Sequence, residues 1–537
     1  MRAPYSRTLF DLLCEQSDNS PQATVVASRG KRTSYAELLA RARAIGASLR
    51  ARGVKHGDRV GGLLCNRVEW LELAFGAAAA GATFVPLSTW STRSELEFLL
   101  ADSQIRLLVS HARFGERDFA ADLAALAPEL ARGDRSPRFA DLRDIVLLEA
   151  EASAPFQRYE QFAQPRRDGE DLPPGAAAGA GDDALILYTS GSSAHPKAVR
   201  LTHFGVIENG FNIGERMALG SDDRVLLAAP LFWSYGSANA MAATLTHGAT
   251  LVLQERFEAG GAIELIEAFG CTAIYTLPGM TKAIATHPQF KLERAKTLRT
   301  GLTIGTPQEF LFAVNTLGAA ELCNIYGATE TYGNCCVTSS RWPLERRANC
   351  QGEPLPGNEL RFVDVETGAL LPAGEIGLVE VRGYVTSGYC GASSDQNPSA
   401  FTPDGFYRTG DVGRLDDNGA FMFIGRNNEM IKRAGINVSP AEVENVLLSH
   451  AGVAQVAVVG AADAERGELV VAFVVPASAA VSEAELIAHC RAIASKYKAP
   501  DRIALVASLP FTVTGKLQRR QLRQTAADLV SGRPTHG

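Results

Sequence analysis

This sequence predicts an α/β protein of more than one domain. Three observations lead there. The chain has 537 residues, more than one hydrophobic core usually serves. Helix and strand patterns alternate over residues 34–87 and again from Leu185. The C-terminal stretch has its own helix starts and apolar strands, as a separate small α+β domain would.

In chain order, Ser34-Tyr-Ala-Glu37 reads as a capping box, opening a helix through about Arg52. Gly57-Asp58 then turns into a strand over 59–64. A helix over 69–80 and a strand over 83–87 follow. Residues 111–183 are the least regular part. Within them, 173–181 reads as a Pro/Gly/Ala linker, not a dinucleotide loop. Between about 350 and 424, short strands alternate with Gly/Asp/Asn turns, as at 377–381 and 416–419, which suggests a β-rich subdomain. Ser439-Pro440-Ala-Glu442 combines an N-cap, Pro at the first helical position and a capping Glu. Val443, Val446 and Leu447 then share one helix face. Strands are expected at 453–459 and 469–475, and Ser482-Glu-Ala-Glu485 starts a further capped helix. The expected plan is a large N-terminal domain over 1–424, made of two α/β sheet subdomains plus the β-rich one. A hinge at 425–428 and a small mobile C-terminal α+β lid over 429–537 complete it.

Composition excludes several classes. A hydrophobic fraction of 46% with 21% charged residues is ordinary for a soluble globular protein. A net charge of −6 gives no reason to expect nucleic acid or an anionic membrane as partner. The nine cysteines are scattered, and only Cys335-Cys336 are adjacent. No Cys/His spacing suggests zinc, so a reduced, cytoplasmic protein is expected. No signal-peptide pattern opens the chain. The longest apolar stretch, Ala74 to Leu87, is too short to span a bilayer. Base rates for oligomers leave monomer or homodimer open.

The chemistry concentrates in Tyr188-Thr-Ser-Gly-Ser-Ser-Ala-His-Pro-Lys-Ala-Val199, which follows the apolar run Ala184 to Leu187. Thr189, Ser190, Ser192 and Ser193 supply hydroxyls, Gly191 a tight turn, and Lys197 a mobile charge. Successive backbone N–H groups in such a turn make an anion nest. This is a triphosphate grip, but its spacing is not that of P-loop NTPases. The segment resembles the (S/T)GTTGxPKG loop of the adenylate-forming (ANL) superfamily: acyl-CoA synthetases, luciferases and peptide-synthetase adenylation domains. Ser192 and Ser193 stand where that family usually has Thr. Ala194 and Ala198 stand at two usual Gly positions.

Further blocks resemble the same superfamily, in its order. Asn324-Ile325-Tyr326-Gly327-Ala-Thr329-Glu330 resembles its YGxTE block. The resemblance implies that Tyr326 stacks on adenine, Thr329 reaches the α-phosphate and Glu330 holds Mg²⁺. The segment 301–307, with Gly305, Thr306 and Pro307, resembles the adenine-pocket stretch, where backbone close to the purine requires small residues. Tyr407-Arg-Thr-Gly-Asp411 resembles the block whose carboxylate takes the ribose hydroxyls, and Arg426 the ribose-reaching Arg before the hinge. Lys516, in Thr514-Gly-Lys-Leu517, resembles the mobile lysine that bridges the acyl carboxylate and α-phosphate. The resemblance spans about residues 7–525. It implies ATP, Mg²⁺ and coenzyme A, and a two-step reaction through an acyl-AMP, in which Lys516, Thr329, Lys197 and Lys432 carry the chemistry. The lid would turn at the hinge, where Asn428 stands in place of the usual Asp or Lys. Lys432, Ala434 and Gly435 would then line the thiol tunnel.

Pro230-Leu-Phe-Trp-Ser-Tyr235-Gly-Ser-Ala-Asn239 resembles the PLFHxxG segment, with Trp233 as gate of the acyl pocket. Tyr235, Asn239, Tyr275, Leu277, Met280, Thr303 and Thr331 are further wall candidates. The segment 230–239 has no acidic residue to bind an amino-acid ammonium, and the set lacks a cation for a second carboxylate. The expected substrate is a monocarboxylic acid, aryl or short-to-medium acyl. The sequence thus predicts an ATP-dependent carboxylate–CoA ligase. Its alternative is a stand-alone adenylating enzyme that loads a carrier protein. A non-catalytic nucleotide-binding relative and a luciferase-like oxidase are more distant rivals.

Overall fold

The computed structural model describes residues 3, 7–151, 156–164, 178–189, 196–433, 436–463, 466–477, 481–494, 498–511 and 517–531. It is a multi-sheet α/β fold. Two compact units divide the chain: Met1–Leu360 with Val381–Tyr407, and Arg361–Glu380 with Arg408–Gly537. The segment 425–428 lies inside the second unit.

The first unit is built on two sheets. One is eight-stranded, in the order Tyr389–Cys390, Lys197–Thr202, Asp183–Thr189, Thr83–Pro86, Arg59–Leu63, Ile105–His111, Asp144–Leu148, Gln157–Arg158. The other is nine-stranded. It runs from Glu353–Pro354 through Cys323–Tyr326, Ala273–Tyr275 and Arg224–Leu227 to Thr24–Ser28 and Lys31–Ser34. Alternate residues leave opposite faces of a strand, and burial follows that rule. Val60, Leu107 and Leu185 of the first sheet share a core with Val225, Leu227 and Leu251 of the second. Their neighbours Leu108, Ile145 and Ile186 enter a separate outer core. Leu226, Val252 and Ile274 enter another. The sheets therefore sandwich a helical layer that includes Tyr35–Ala51 and Val68–Ala80.

Local signals explain the ends of these elements. Ser34 and Glu37 close the expected capping box. Trp70 is fully buried, edge-on to Phe84 at 4.9 Å. Of the expected linker 173–181, residues 173–177 lie outside the described residues.

The second unit holds most of a four-stranded sheet, ordered Glu359–Val363, Gly377–Arg382, Tyr407–Leu415, Phe421–Arg426. It also has a small sheet centred on the hairpin Val453–Asp463 and Gly467–Pro476, whose strands run longer than the sequence pattern marks. Val470, Ala472 and Val474 face the helices Pro440–Leu448 and Glu483–Ile493. Val471 and Phe473 face Arg519–Val530. Ser439 caps its helix as expected, accepting from Glu442 N. Glu442 does not return the bond, because its carboxylate pairs with Lys498 at 2.9 Å. Among the described residues, no helix is long and apolar enough to cross a membrane.

Candidate active site

The phosphate-turn segment is a hairpin. Asp183–Thr189 pairs antiparallel with Lys197–Thr202, and Thr189 lies opposite Lys197 at its open end. Residues 190–195, including Ser190, Gly191, Ser192 and Ser193, lie outside the described residues. The base of the hairpin is clamped from several sides. Tyr188 Oη donates to Asp102 Oδ2 at 2.7 Å. Ala198 N donates to Ser393 Oγ at 3.1 Å, and Thr202 N to Tyr332 Oη at 3.0 Å. Burial and the Asp102 carboxylate push the Tyr188 phenol well above its ordinary range, so it stays a donor.

Lys197 and Glu330, 133 positions apart by their numbers, meet through one residue. Lys197 Nζ lies 5.1 Å from the centre of the Tyr389 ring. Tyr389 is buried, and its Oη donates to Glu330 Oε1 at 2.9 Å. Burial first, then the Glu330 charge, raises the Tyr389 phenol and keeps it protonated. Tyr389 is a member of the site that the sequence reading missed. Its partner is 59 residues away, and no local pattern marks it.

The YGxTE segment turns sharply after the strand Cys323–Tyr326. A side chain at Gly327 would strike Asn334 Cα at 2.5 Å, so only glycine fits. Tyr326 is buried and Thr329 half-buried. Thr329 Oγ1 lies 3.0 Å from Ser234 Oγ, which joins this loop to the PLF-type segment. Two expected contact residues turn inward instead. Asn324 is fully buried: Nδ2 donates to Cys350 O at 3.1 Å and Oδ1 accepts from Ile325 N at 3.0 Å. Its side chain therefore braces the strand end and does not face outward. Thr331 Oγ1 accepts from Ala328 N at 3.0 Å and is buried, so it closes the turn and offers no free hydroxyl as a pocket wall.

Thr306 and Pro307 open the helix Pro307–Leu317, with Thr306 and Glu309 forming a capping box. A side chain at Gly305 would meet Glu309 Oε2 at 2.7 Å, and one at Gly301 would meet Ile274 O at 2.0 Å. The smallness of this stretch thus follows from protein packing, with no need of a purine.

The segment after Pro230 forms a π-helical turn, Tyr235–Met241. Such turns are rare and concentrate at functional sites. Tyr235 Oη donates to Leu302 O at 2.9 Å, and its ring lies 5.1 Å from that of Tyr275. Tyr275 Oη donates to Asn239 Oδ1 at 2.8 Å. Trp233 is half-buried, edge-on to Trp90 at 5.1 Å. Thr303 is buried, while Leu277 and Met280 are half-buried at the start of the helix Pro278–Ala285.

In the second unit, Asp411 and Arg426 lie opposite each other on paired strands. Arg426 Nε is 3.3 Å from Asp411 Oδ1. The Asp411 side chain is 6% exposed and that of Arg426 54%, so the pair offers a charged edge to a ligand. Lys432 is exposed, opposite Asn437 in a short hairpin. Ala434, Gly435 and Lys516 lie outside the described residues.

Among the described residues, no cluster of three or more His, Cys, Asp or Glu side chains is placed to hold a metal ion. Glu330 alone fits a cation that keeps its own waters and binds phosphate oxygens, as Mg²⁺ does. Tyr389 engages one of its oxygens, and the other has no hydrogen bond among the described residues.

A cation at the open end of the hairpin, linked through the Tyr389 ring to a buried carboxylate, suits an enzyme that binds and activates a nucleotide. The chain belongs to the AMP-binding enzymes, the adenylate-forming (ANL) superfamily: that family matches residues 13–390, and the AMP-binding enzyme C-terminal domain matches 442–516. It is 32% identical over 508 residues to a feruloyl-CoA synthase of Amycolatopsis sp, covering 94% of this chain and 96% of the relative. It is 30% identical over 529 residues to the mitochondrial medium-chain acyl-CoA ligase ACSF2 of Mus musculus, covering 94% and 84%. The crystal structure of the anthranilate CoA ligase AuaEII in complex with anthranoyl-AMP superposes with a TM-score of 0.84. Its identity is 26%, over 99% of this chain and all of that one. The chain is accordingly an enzyme of the AMP-forming ligase class.

Proposed function

We propose that this chain, an ATP-dependent acid–CoA ligase working through an acyl-AMP, activates a monocarboxylic acid of aryl or short-to-medium acyl type. The observation that carries the reading is the Lys197–Tyr389–Glu330 link, which sets a cation and a carboxylate in fixed relation at the start of the strand Lys197–Thr202. Attack of a carboxylate on the α-phosphorus brings two anions together, so the protein's task is positioning and charge neutralisation. The turn 189–197 holds the β- and γ-phosphates. Glu330 holds Mg²⁺, which supplies charge compensation for the departing pyrophosphate. Tyr326 stacks on adenine, Thr329 donates to the α-phosphate, and Asp411 with Arg426 takes the ribose. Lys516 bridges the acyl carboxylate and the α-phosphate. The lid then turns about 425–428, and Lys432 with residues 434–435 lines the path of the attacking thiol. Trp233, packed on Trp90, closes the acyl pocket. Coenzyme A is the acceptor, with a carrier-protein thiol as its competitor.

The test is acid-dependent pyrophosphate release against aryl and aliphatic acids, with and without coenzyme A. Turnover that requires coenzyme A and yields an acyl-CoA supports the reading. Release indifferent to coenzyme A, with transfer to a holo-carrier protein, replaces the acceptor. No release with any acid overturns it.

A further inference from the structure

Tyr389, which joins Lys197 to Glu330, stands on the outermost strand of its sheet. That strand is two residues long, Tyr389–Cys390, and among the described residues it pairs only with Lys197–Thr202. So short an edge strand has little hold on its own backbone. Yet the Tyr389 ring sits 5.1 Å from Lys197 Nζ while its hydroxyl reaches Glu330 Oε1 at 2.9 Å. Tyr407 meets the same hydroxyl. Both ends of the side chain depend on where the backbone stands.

The hold comes from Asn397, eight positions on. Tyr389 N donates to Asn397 Oδ1 at 2.7 Å, and Asn397 Nδ2 donates to Tyr389 O at 3.0 Å. One side chain thereby takes both backbone groups of one residue, as a further strand would. An amide carries the donor and the acceptor that this needs, and the Tyr389 N–H and C=O fix which atom is which. Gly388 makes the room. Its φ is +115°, and a Cβ there would lie 2.9 Å from Asn397 Oδ1. The neighbouring residues have anchors of their own. Ser393 Oγ donates to Cys390 O at 2.8 Å, and Ala392 N donates to Asp102 Oδ1 at 2.6 Å. Loss of the Asn397 amide therefore frees Tyr389 and leaves the rest of the strand attached.

We infer that Asn397 is a positioning residue for ATP activation: it sets the Tyr389 backbone so that ring and hydroxyl keep Lys197 and Glu330 aimed at the phosphates and their Mg²⁺. The inference rests on the acid–CoA ligase reading for what Lys197 and Glu330 bind. Its own observations are the two bonds to Tyr389.

The experiment is a double-mutant cycle on the full-length protein. Calorimetry reads binding of ATP with Mg²⁺, and pyrophosphate exchange reads adenylation. Hydrogen exchange of the peptide around Tyr389 reads the backbone. Asn397→Ala should weaken ATP binding and slow pyrophosphate exchange by about 10-fold each. In a Tyr389→Leu background, which lacks ring and hydroxyl alike, the same change should cost less than about twofold. Asn397→Asp keeps the shape and one acceptor but sets a second oxygen against Tyr389 O, so it should do no better than alanine. Hydrogen exchange should quicken over 387–391 in Asn397→Ala and stay slow over 183–187. An Asn397→Ala cost that is the same with and without the Tyr389 side chain would overturn the inference and make Asn397 a general brace. So would wild-type behaviour of Asn397→Asp, or hydrogen exchange unchanged at Tyr389. The aspartate variant decides even if Tyr389→Leu fails to fold. ATP binding that follows the cycle, in a protein that releases no pyrophosphate with any acid, upholds the positioning role and counts against the ligase reading alone.

Discussion

Site residues in the first unit are fixed by links between distant parts of the chain, whereas those in the second are fixed by neighbours on paired strands. Tyr389 reaches Glu330 across 59 positions, Ser234 reaches Thr329 across 95, and Tyr332 reaches Thr202 across 130. Asp411 and Arg426 simply face each other across one hairpin, as do Lys432 and Asn437. A constellation of distant links is rigid, but it fails when the fold loosens. A hairpin pair keeps its register while any two strands stay paired. The larger unit therefore serves as a fixed cradle, and the smaller one as a bearer of separate, locally built contacts.

The largest expected effect tests the second unit's role. Lys516→Ala should lower the adenylation rate on the order of 10²–10³-fold and leave ATP binding nearly unchanged. Pyrophosphate exchange beside calorimetric ATP binding measures both, and an unchanged exchange rate removes Lys516 from the mechanism.

Next comes a test of the rigid cradle by acid. His203 and His111 are buried in the first unit, and each accepts a backbone N–H at 3.2 Å, from Leu9 and Cys65 respectively. Burial lowers both imidazoles to about 4 from the usual 6.5. The folded state thus favours the neutral form. Its stabilising effect is whole above pH 6.5 and is lost as pH falls towards 4. Each costs the fold on the order of 3 kcal/mol at the acid end of that window. All four tryptophans, Trp70, Trp90, Trp233 and Trp342, belong to the first unit. A melt followed by their fluorescence should therefore shift to lower temperature between pH 7 and pH 4.5. A melt indifferent to pH in that range contradicts the assignment.

Asp411→Asn is expected to raise the KM for ATP about tenfold, because one charge-assisted acceptor is weakened. The same fluorescence melt should not move, since the hairpin register does not depend on that carboxylate. A lower melting temperature would blur the contrast between the units. The smallest effect belongs to Tyr389→Phe, which keeps the ring over Lys197 and removes the bond to Glu330. It should cost about 1 kcal/mol of stability and a few-fold in rate. The rate loss should shrink at high Mg²⁺ if Tyr389 only orients Glu330, and a loss indifferent to Mg²⁺ would argue for another role.

The same contrast explains what could be read from the sequence. The Ser34–Glu37 capping box, the Ser439 cap and the strand pattern of the small sheet are local, and they were legible. The family was legible too, because each motif block is a contiguous pattern of residue types. The π-helical turn was not legible. It forms where Gly236 packs on Pro230 O, with room for no side chain, and no periodicity announces that. The pairing of Thr24–Ser28 with Thr250–Leu253 joins segments far apart in the chain, and nothing in either segment names the other. Asn324 shows the opposite failure. Its motif position is plain, but only the structure reveals that its amide is engaged by Ile325 N and Cys350 O.

The Ser234–Thr329 contact has one further consequence. Either oxygen can be the donor, so the pair holds a single hydrogen between two hydroxyls. An acceptor that draws the Thr329 proton outward obliges Ser234 to donate inward, and an acceptor at Ser234 does the reverse. Two ligands approaching from opposite sides of this pair are therefore not sensed independently. The affinity of each depends on which way the other has turned that hydrogen, and linkage makes the dependence equal in both directions.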